Sequence, residues 1–133
     1  MGALAVVIGF EQTAEDGENV ADAKVDLGGG EILLAPHFGP AGYDAQPLPG
    51  DYAALISQSG GNGSAAIGYA DPINPPQAAG GEAGFYARAS DGAIVCSFYL
   101  RADGSARFEN ANGFFELASN GSVTINGNLR VDP

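Results

Sequence analysis

The last third of the chain limits its fold most tightly. Between Gly84 and Pro133, five Asp-Gly or Asn-Gly pairs fall at Asp91-Gly92, Asp103-Gly104, Asn112-Gly113, Asn120-Gly121 and Asn126-Gly127. Such pairs are the strongest short-range hairpin signals, because both central residues of a type I′ turn need positive φ and these pairs supply it cheaply. The segments between them are Phe85 to Ala89, Ala93 to Leu100, Ser105 to Glu109, Phe114 to Ala118, Ser122 to Ile125 and Asn128 to Val131. Each is short and extended in character, so the region is expected to be a meander of strands.

Alternation within these strands sorts their side chains. Phe98 and Leu100, Ala106 and Phe108, Phe115 and Leu117, Val123 and Ile125, and Leu129 and Val131 each lie two residues apart. Each pair therefore points to one face of its strand, while Tyr99, Arg107, Glu116 and Thr124 point to the other. No amphipathic helix is legible anywhere in the chain to cover the apolar face, and an open meander with a greasy side would aggregate. The economical cover is more copies of the same segment. The expectation is an intertwined homo-oligomeric β-prism with Phe98, Leu100, Phe108, Phe115, Leu117, Val123, Ile125, Leu129 and Val131 in its core.

A length of 133 residues allows one ordinary domain, or a small domain with an extension too thin to fold alone. With 21 glycines, 8 prolines and no tryptophan, the composition favours short strands and tight turns over helices. Five basic residues against 16 acidic ones give a formal charge of -11, which repels phosphate backbones and anionic headgroups. Nucleic-acid binding through a basic patch is disfavoured on that ground. No stretch approaches the length of a membrane-spanning helix, and Met1 to Ile8 lacks a charged leader segment, so a soluble chain made in the cytoplasm is expected.

The first seventy residues carry five further strand candidates: Ala3 to Gly9, Ala23 to Leu27, Glu31 to Ala35, Asp51 to Gln58 and Ser64 to Ala70. Glu11 to Ala21 reads as an acidic loop containing Asp16-Gly17, with a hairpin tip and a disordered segment as the alternatives, and Pro36 to Gly50 as a loop dense in proline and glycine. Five strands with uneven connections point to a small closed barrel of the OB type. The run Gly28 to Gly30 lacks the lysine and the helix that a phosphate-binding P-loop requires. Asp71 to Gly81, with Pro72, Pro75 and Pro76, cannot form ladder bonds along its length and marks the domain boundary. The expected organisation is a barrel over 1–70, a Pro/Gly-rich linker over 71–83 and a trimeric β-helix spike over 84–133.

The order of these segments carries a resemblance. The barrel, with Pro36-His37-Phe38-Gly39-Pro40-Ala41-Gly42-Tyr43 and Pro47 to Gly50, leads to Gly81-Glu82, Tyr86-Ala87-Arg88 and Asp91-Gly92-Ala93-Ile94-Val95. Leu100 to Gly104, Gly113 to Leu117 and Asn120-Gly121-Ser122-Val123-Thr124-Ile125-Asn126-Gly127 follow. This pattern resembles the central spike of contractile phage tails, the baseplate assembly protein V family, and most closely its Mu-type branch. The likeness spans nearly the whole chain, although each motif is short and glycine-rich. It implies a homotrimeric virion protein of a phage tail or tailocin baseplate. An OB-fold collar would seat on the tail hub, and a triple-stranded β-helix would pierce the host outer membrane. Many members end in a longer needle whose apex binds iron through a His-x-His motif. This chain has no histidine after His37, so no apex iron or other cofactor is expected, and the tip falls to a separate protein or stays blunt.

Little else in the sequence carries chemistry. His37, beside Pro36 and Phe38, reads as a packing or hydrogen-bonding residue, and Ser64 and Ser90 have no histidine partner in any recognisable motif. Adjacent acids such as Glu15-Asp16 are ordinarily solvated, with calcium as the functional alternative. Cys96 reads as a small buried hydrophobe; a reactive thiol would need a basic neighbour, for which Arg101 is the nearest candidate. No enzymatic activity is expected. The alternative function is an OB-fold carbohydrate- or peptide-binding module with Tyr52 and Tyr69 lining its face.

Overall fold

The computed structural model of the protein describes residues 2–15, 18–38, 44–57 and 63–128. Among them there is no helix; the chain is all-β and forms two antiparallel five-stranded sheets. Two compact units divide it, Met1–Pro72 and Ile73–Pro133.

The first unit contains β1 (Gly2–Glu15), β2 (Glu18–Asp26), β3 (Ile32–Pro36), β4 (Tyr52–Ser57) and β5 (Ser64–Ala70), in the order β3-β2-β1-β4-β5. Strand β1 serves two partners: Gly2 to Val6 pair with β4, and Val6 to Glu15 pair with β2. The change is accompanied by a bulge between Val7 and Gly9, the device by which a strand bends from one partner to the next. The two ends of the sheet meet through a parallel bridge between His37 and Ala66, with the Phe38 N–H donating to the Ala66 carbonyl at 3.0 Å. Inside lie Ala5, Val7, Ala23, Val25, Ala35, Ala53, Leu55 and Ala66, with Phe10, Leu33 and Tyr69 packed against them.

Of the readings offered for the acidic segment Glu11 to Ala21, the hairpin is the one that forms. Its strands keep register from Phe10↔Ala23 to Glu15↔Glu18, and Asp16-Gly17 lies outside the described residues. Main-chain pairing continued from the rest of the sheet extends this ribbon, although its sequence lacks the apolar alternation that marks a half-buried strand.

The second unit is a meander of β6 (Ala83–Arg88), β7 (Ile94–Leu100), β8 (Ala106–Asn110), β9 (Gly113–Leu117) and β10 (Val123–Asn126), paired in chain order. The expected sixth strand, Asn128 to Val131, lies almost wholly outside the described residues. Three of the five anticipated turns form where expected, but none is a two-residue type I′ turn. The N–H groups of Gly92, Gly104 and Gly121 donate to the carbonyls of Ala89, Arg101 and Ala118 at 2.9, 3.0 and 2.9 Å. The same three loop-starting residues also donate to the carbonyls of Ala93, Ser105 and Ser122. These are three-residue loops, in which only the glycine has to be left-handed, and its φ is +87, +86 and +84°. The preceding Asp or Asn has a different task. Asp91, Asp103 and Asn120 each accept a bond from the N–H two residues on, at 2.8 to 2.9 Å. At the fourth site Asn110 pairs directly with Gly113, so the loop is Ala111-Asn112 and Gly113 is a strand residue. A Cβ there would collide with the main-chain oxygen of Asn126.

The proline-rich stretch beyond the divide is tied to the second unit. Asn74 Nδ2 donates to the Gly92 carbonyl at 2.9 Å, and Arg101 Nη1 donates to the Gln77 carbonyl at 3.0 Å. The turn chemistry gives a direct contrast. Gly104→Ala places a Cβ in open space but at positive φ, so it is expected to cost about 1–2 kcal/mol. Gly80→Ala, also open but at ordinary φ, is expected to stay within about 0.5 kcal/mol. Denaturant melts of the two variants measure the difference.

Candidate functional site

The pleat of the second sheet, read through its register, places the expected core residues in two rows. Phe85, Phe98, Phe108, Phe115 and Ile125 stand directly opposite one another from β6 to β10. Ala83, Leu100, Ala106, Leu117 and Val123 form the second row. Both rows lie on one face, because their members are two residues apart within each strand. Aromatic and branched side chains directly opposed in this way are the favourable units of sheet packing. The Phe98 and Phe108 rings lie 6.5 Å apart, tilted by 53°.

This face is uncovered. Exposure of its large side chains runs from 39% for Leu117 to 56% for Val123, with Phe98 half-buried beneath its neighbours. Seven such side chains leave on the order of 600 Å² of apolar surface, the upper end of what a typical monomer's largest patch presents. Of the nine residues expected in the core, seven are brought together here, while Leu129 and Val131 lie outside the described residues. Phe85 belongs with them and was missed by the sequence reading; its two-residue spacing to Ala87 was the available signal.

The opposite face is finished by its own side chains. Tyr99 is 7% exposed and lies across Gly84, where any Cβ would overlap its ring. The Arg101 guanidinium sits 4.5 Å from the centre of the Tyr99 ring and pairs with Glu82 at 2.8 Å. Arg107 lies 3.8 Å from the centre of the Phe114 ring and bonds Glu109 at 2.7 Å and Glu116 at 3.2 Å. Tyr99, Arg107, Glu116 and Thr124 form the register row of this face, as the alternation requires. One face is thus complete in the single chain and the other is not.

The remaining candidates have structural surroundings. His37 Nδ1 is 2.9 Å from the Tyr69 hydroxyl, its ring stacks on Tyr69 at 5.2 Å, and Phe10 meets it edge-on at 5.8 Å. Burial raises the Tyr69 pKa. Tyr52 pairs with Ala70, whereas Tyr69 pairs with buried Ala53, so the two tyrosines point to opposite faces and cannot line one binding surface together. Cys96 is half-buried and lies on the apolar face, between Ala87 and Asn110. Glu15 stands opposite Glu18, and Asp16 is outside the described residues. Among the described residues, no group of three or more His, Cys, Asp or Glu could hold a metal ion.

No protein-family model, curated protein or solved structure matches this chain.

Among the described residues, the most strongly displaced carboxylate belongs to the turn that braces the second unit. The Ala79 N–H, the Arg101 guanidinium and the Ala102 N–H all donate to Glu82, which holds its pKa down to about 2 from 4.5. A depressed folded-state pKa contributes stability that is present above the unfolded value and is lost as pH falls through the folded one. The window here runs from about pH 4.5 down to about pH 2. Glu82→Gln is therefore expected to lower the thermal midpoint at neutral pH. It should also flatten the fall in midpoint across that window, measured by circular dichroism over a pH series.

Proposed function

We propose that the chain is the central spike of a contractile injection machine, a phage tail or tailocin baseplate. In this reading it is a homotrimer in which three copies of the second unit turn their apolar faces to a common axis and form a β-prism needle. The needle pierces the host outer membrane, and the first unit is an OB-fold collar that seats on the tail hub. The role is mechanical rather than catalytic, with no cofactor.

One observation carries the proposal. The second sheet has ten residues in two unbroken rows on an open face, while its other face is closed by Tyr99, Arg101 and Arg107. An apolar face of this size and regularity needs a flat partner with the same spacing, and a copy of itself has that spacing by construction. The collar assignment draws support from the strand pairing of the first unit. Five strands in the order β3-β2-β1-β4-β5, with β3 and β5 joined by a parallel bridge, fit a partly open five-stranded barrel. The five strands of the needle pair within one chain, so the copies are proposed to meet face to face, each contributing a whole sheet.

The test uses neighbouring residues on opposite faces. Ile125→Asp places an unpaired carboxylate in each of three converging faces, where burying even one costs several kcal/mol, and assembly is expected to fail. Thr124→Asp lies in the row with Tyr99 and Arg107 and is expected to change stability by about 0.5 kcal/mol or less. Sedimentation at micromolar concentration should give a trimer for the wild type and for Thr124→Asp, and a smaller species for Ile125→Asp. A wild-type monomer with intact β-sheet signal would end the proposal.

A further inference from the structure

The Asn-Gly pairs that mark turns in the sequence also carry a reaction. In such a pair the main-chain nitrogen of the glycine can attack the side-chain amide carbon of the asparagine, because glycine has no Cβ to hinder the approach. The second unit holds three such pairs, at Asn112-Gly113, Asn120-Gly121 and Asn126-Gly127, in unequal surroundings. At Asn120-Gly121, the Gly121 N–H donates to the Ala118 carbonyl at 2.9 Å. Asn120 Oδ1 is held by the Ser122 N–H at 2.9 Å and by the Ser122 hydroxyl at 2.8 Å. At Asn112-Gly113, Gly113 pairs with Asn110 across a two-residue loop, whose flanking residues exchange both main-chain bonds. In both pairs the nucleophile is engaged.

Asn126-Gly127 differs on each count. It ends β10, an edge strand whose partner among the described residues is β9. The Asn126 carbonyl lies against Gly113 of β9, and no peptide bond is cis. The Gly127 N–H therefore points the opposite way, off the edge of the sheet. Among the described residues no acceptor meets it, and the exposed Asn126 side chain has no hydrogen-bond partner either. Attack requires Asn126 to leave its extended backbone. Opening is easiest at the end of a ladder, and Asn126↔Phe114 is the last pair of this one.

We infer that Asn126-Gly127 is a self-modification site, at which the chain converts its own asparagine to aspartate and isoaspartate. The Gly127 nitrogen, its proton taken by solvent hydroxide, bonds to Asn126 Cγ. The Cγ–Nδ2 bond breaks, and Nδ2 leaves as ammonia with a proton returned from water. A second water opens the five-membered imide: cleavage at Cγ gives aspartate, and cleavage at the main-chain carbonyl carbon gives isoaspartate. Overall one water enters and one ammonia leaves. Either product adds a negative charge to a chain already at a formal -11. Isoaspartate also lengthens the main chain by one carbon, which the pairing with Phe114 cannot accommodate, so the end of β10 is released while Val123 to Ile125 keep their partners. Asn126 shares the face of Thr124 rather than that of Ile125, so it lies outside the face through which the copies are proposed to meet.

The experiment is prolonged incubation of the folded, full-length chain at mildly alkaline pH, followed by tryptic digestion and fragment-ion mass spectrometry. Asn112, Asn120 and Asn126 fall on one peptide, Phe108 to Arg130, where fragment ions assign a one-dalton gain to a residue. Asn126 is expected to convert roughly threefold to tenfold faster than Asn112 or Asn120, the factor set by one main-chain hydrogen bond on the nucleophile. In urea, with unfolding checked by circular dichroism, the three rates should converge, because all three residues precede glycine. Asn126→Gln, which would have to close a six-membered ring, should lose the gain at position 126 and leave the other two rates unchanged. A folded chain in which Asn112 or Asn120 converts as fast as Asn126 overturns the inference. So does an Asn126 that stays intact in the folded chain while converting in urea, since the strand end would then be closed. A lead of Asn126 that persists undiminished in urea overturns it as an effect of sequence alone.

Discussion

The structure depends on a two-residue period meeting a surface with nothing on it. In the second unit every strand sends alternate residues to one side, and the hairpin loops fix register so that Phe85, Phe98, Phe108, Phe115 and Ile125 line up. A register slip of one residue in any strand would exchange Phe108 for Arg107 or Phe115 for Phe114, breaking the row. The three left-handed glycines and the side-chain oxygens of Asp91, Asp103 and Asn120 oppose such a slip by fixing each loop at three residues. Turn chemistry thus determines the continuity of the apolar face.

The two sides of that sheet are built on different principles. On the polar side, attraction is local: Glu82 to Arg101 to Tyr99 to Gly84, and Glu109 and Glu116 to Arg107 to Phe114. Exposed ion pairs of this kind stabilise little individually. Their geometric effect is larger, since they spread long side chains over a sheet that has no second layer. The apolar side has no comparable device, and its free energy is realised only when water is removed from it. A partner that covered this face would therefore add directly to the stability of the second unit.

Much of this was legible in the sequence. The positions of strands β6 to β10, the residues on each face and the break near Pro72 follow from period-two alternation, Asp/Asn-Gly pairs and prolines. The turn type was misread, because an Asp-Gly pair fits a two-residue loop and the last two positions of a three-residue loop equally well. Only the hydrogen bonds from Gly92, Gly104 and Gly121 separate the two. The β1–β2 ribbon was hidden because Glu11 stands opposite Asp22 and Glu15 opposite Glu18, pairings that cross-strand preference disfavours. Tyr52 and Tyr69 illustrate a further limit. Seventeen residues apart, they look like companions, and only the pairing of β4 with β5 shows that they face opposite ways.

The first unit distributes its bulk in an unusual way, and this bears on how far it is self-sufficient. Its buried cluster is five alanines, two valines and a leucine, and Val7 and Val25 are the largest side chains fully enclosed. Leu4, Ile32, Leu34, Ile56 and Ile67, which are larger, lie outside and are each at least 44% exposed. Burying an alanine removes much less apolar area from water than burying a leucine or isoleucine, so the interior contributes modestly for a unit of this size. The larger apolar residues can therefore be buried only from the outside, by another molecule. Both units then share one pattern: a sheet whose inner or polar side is settled within the chain, and an apolar side left open to solvent.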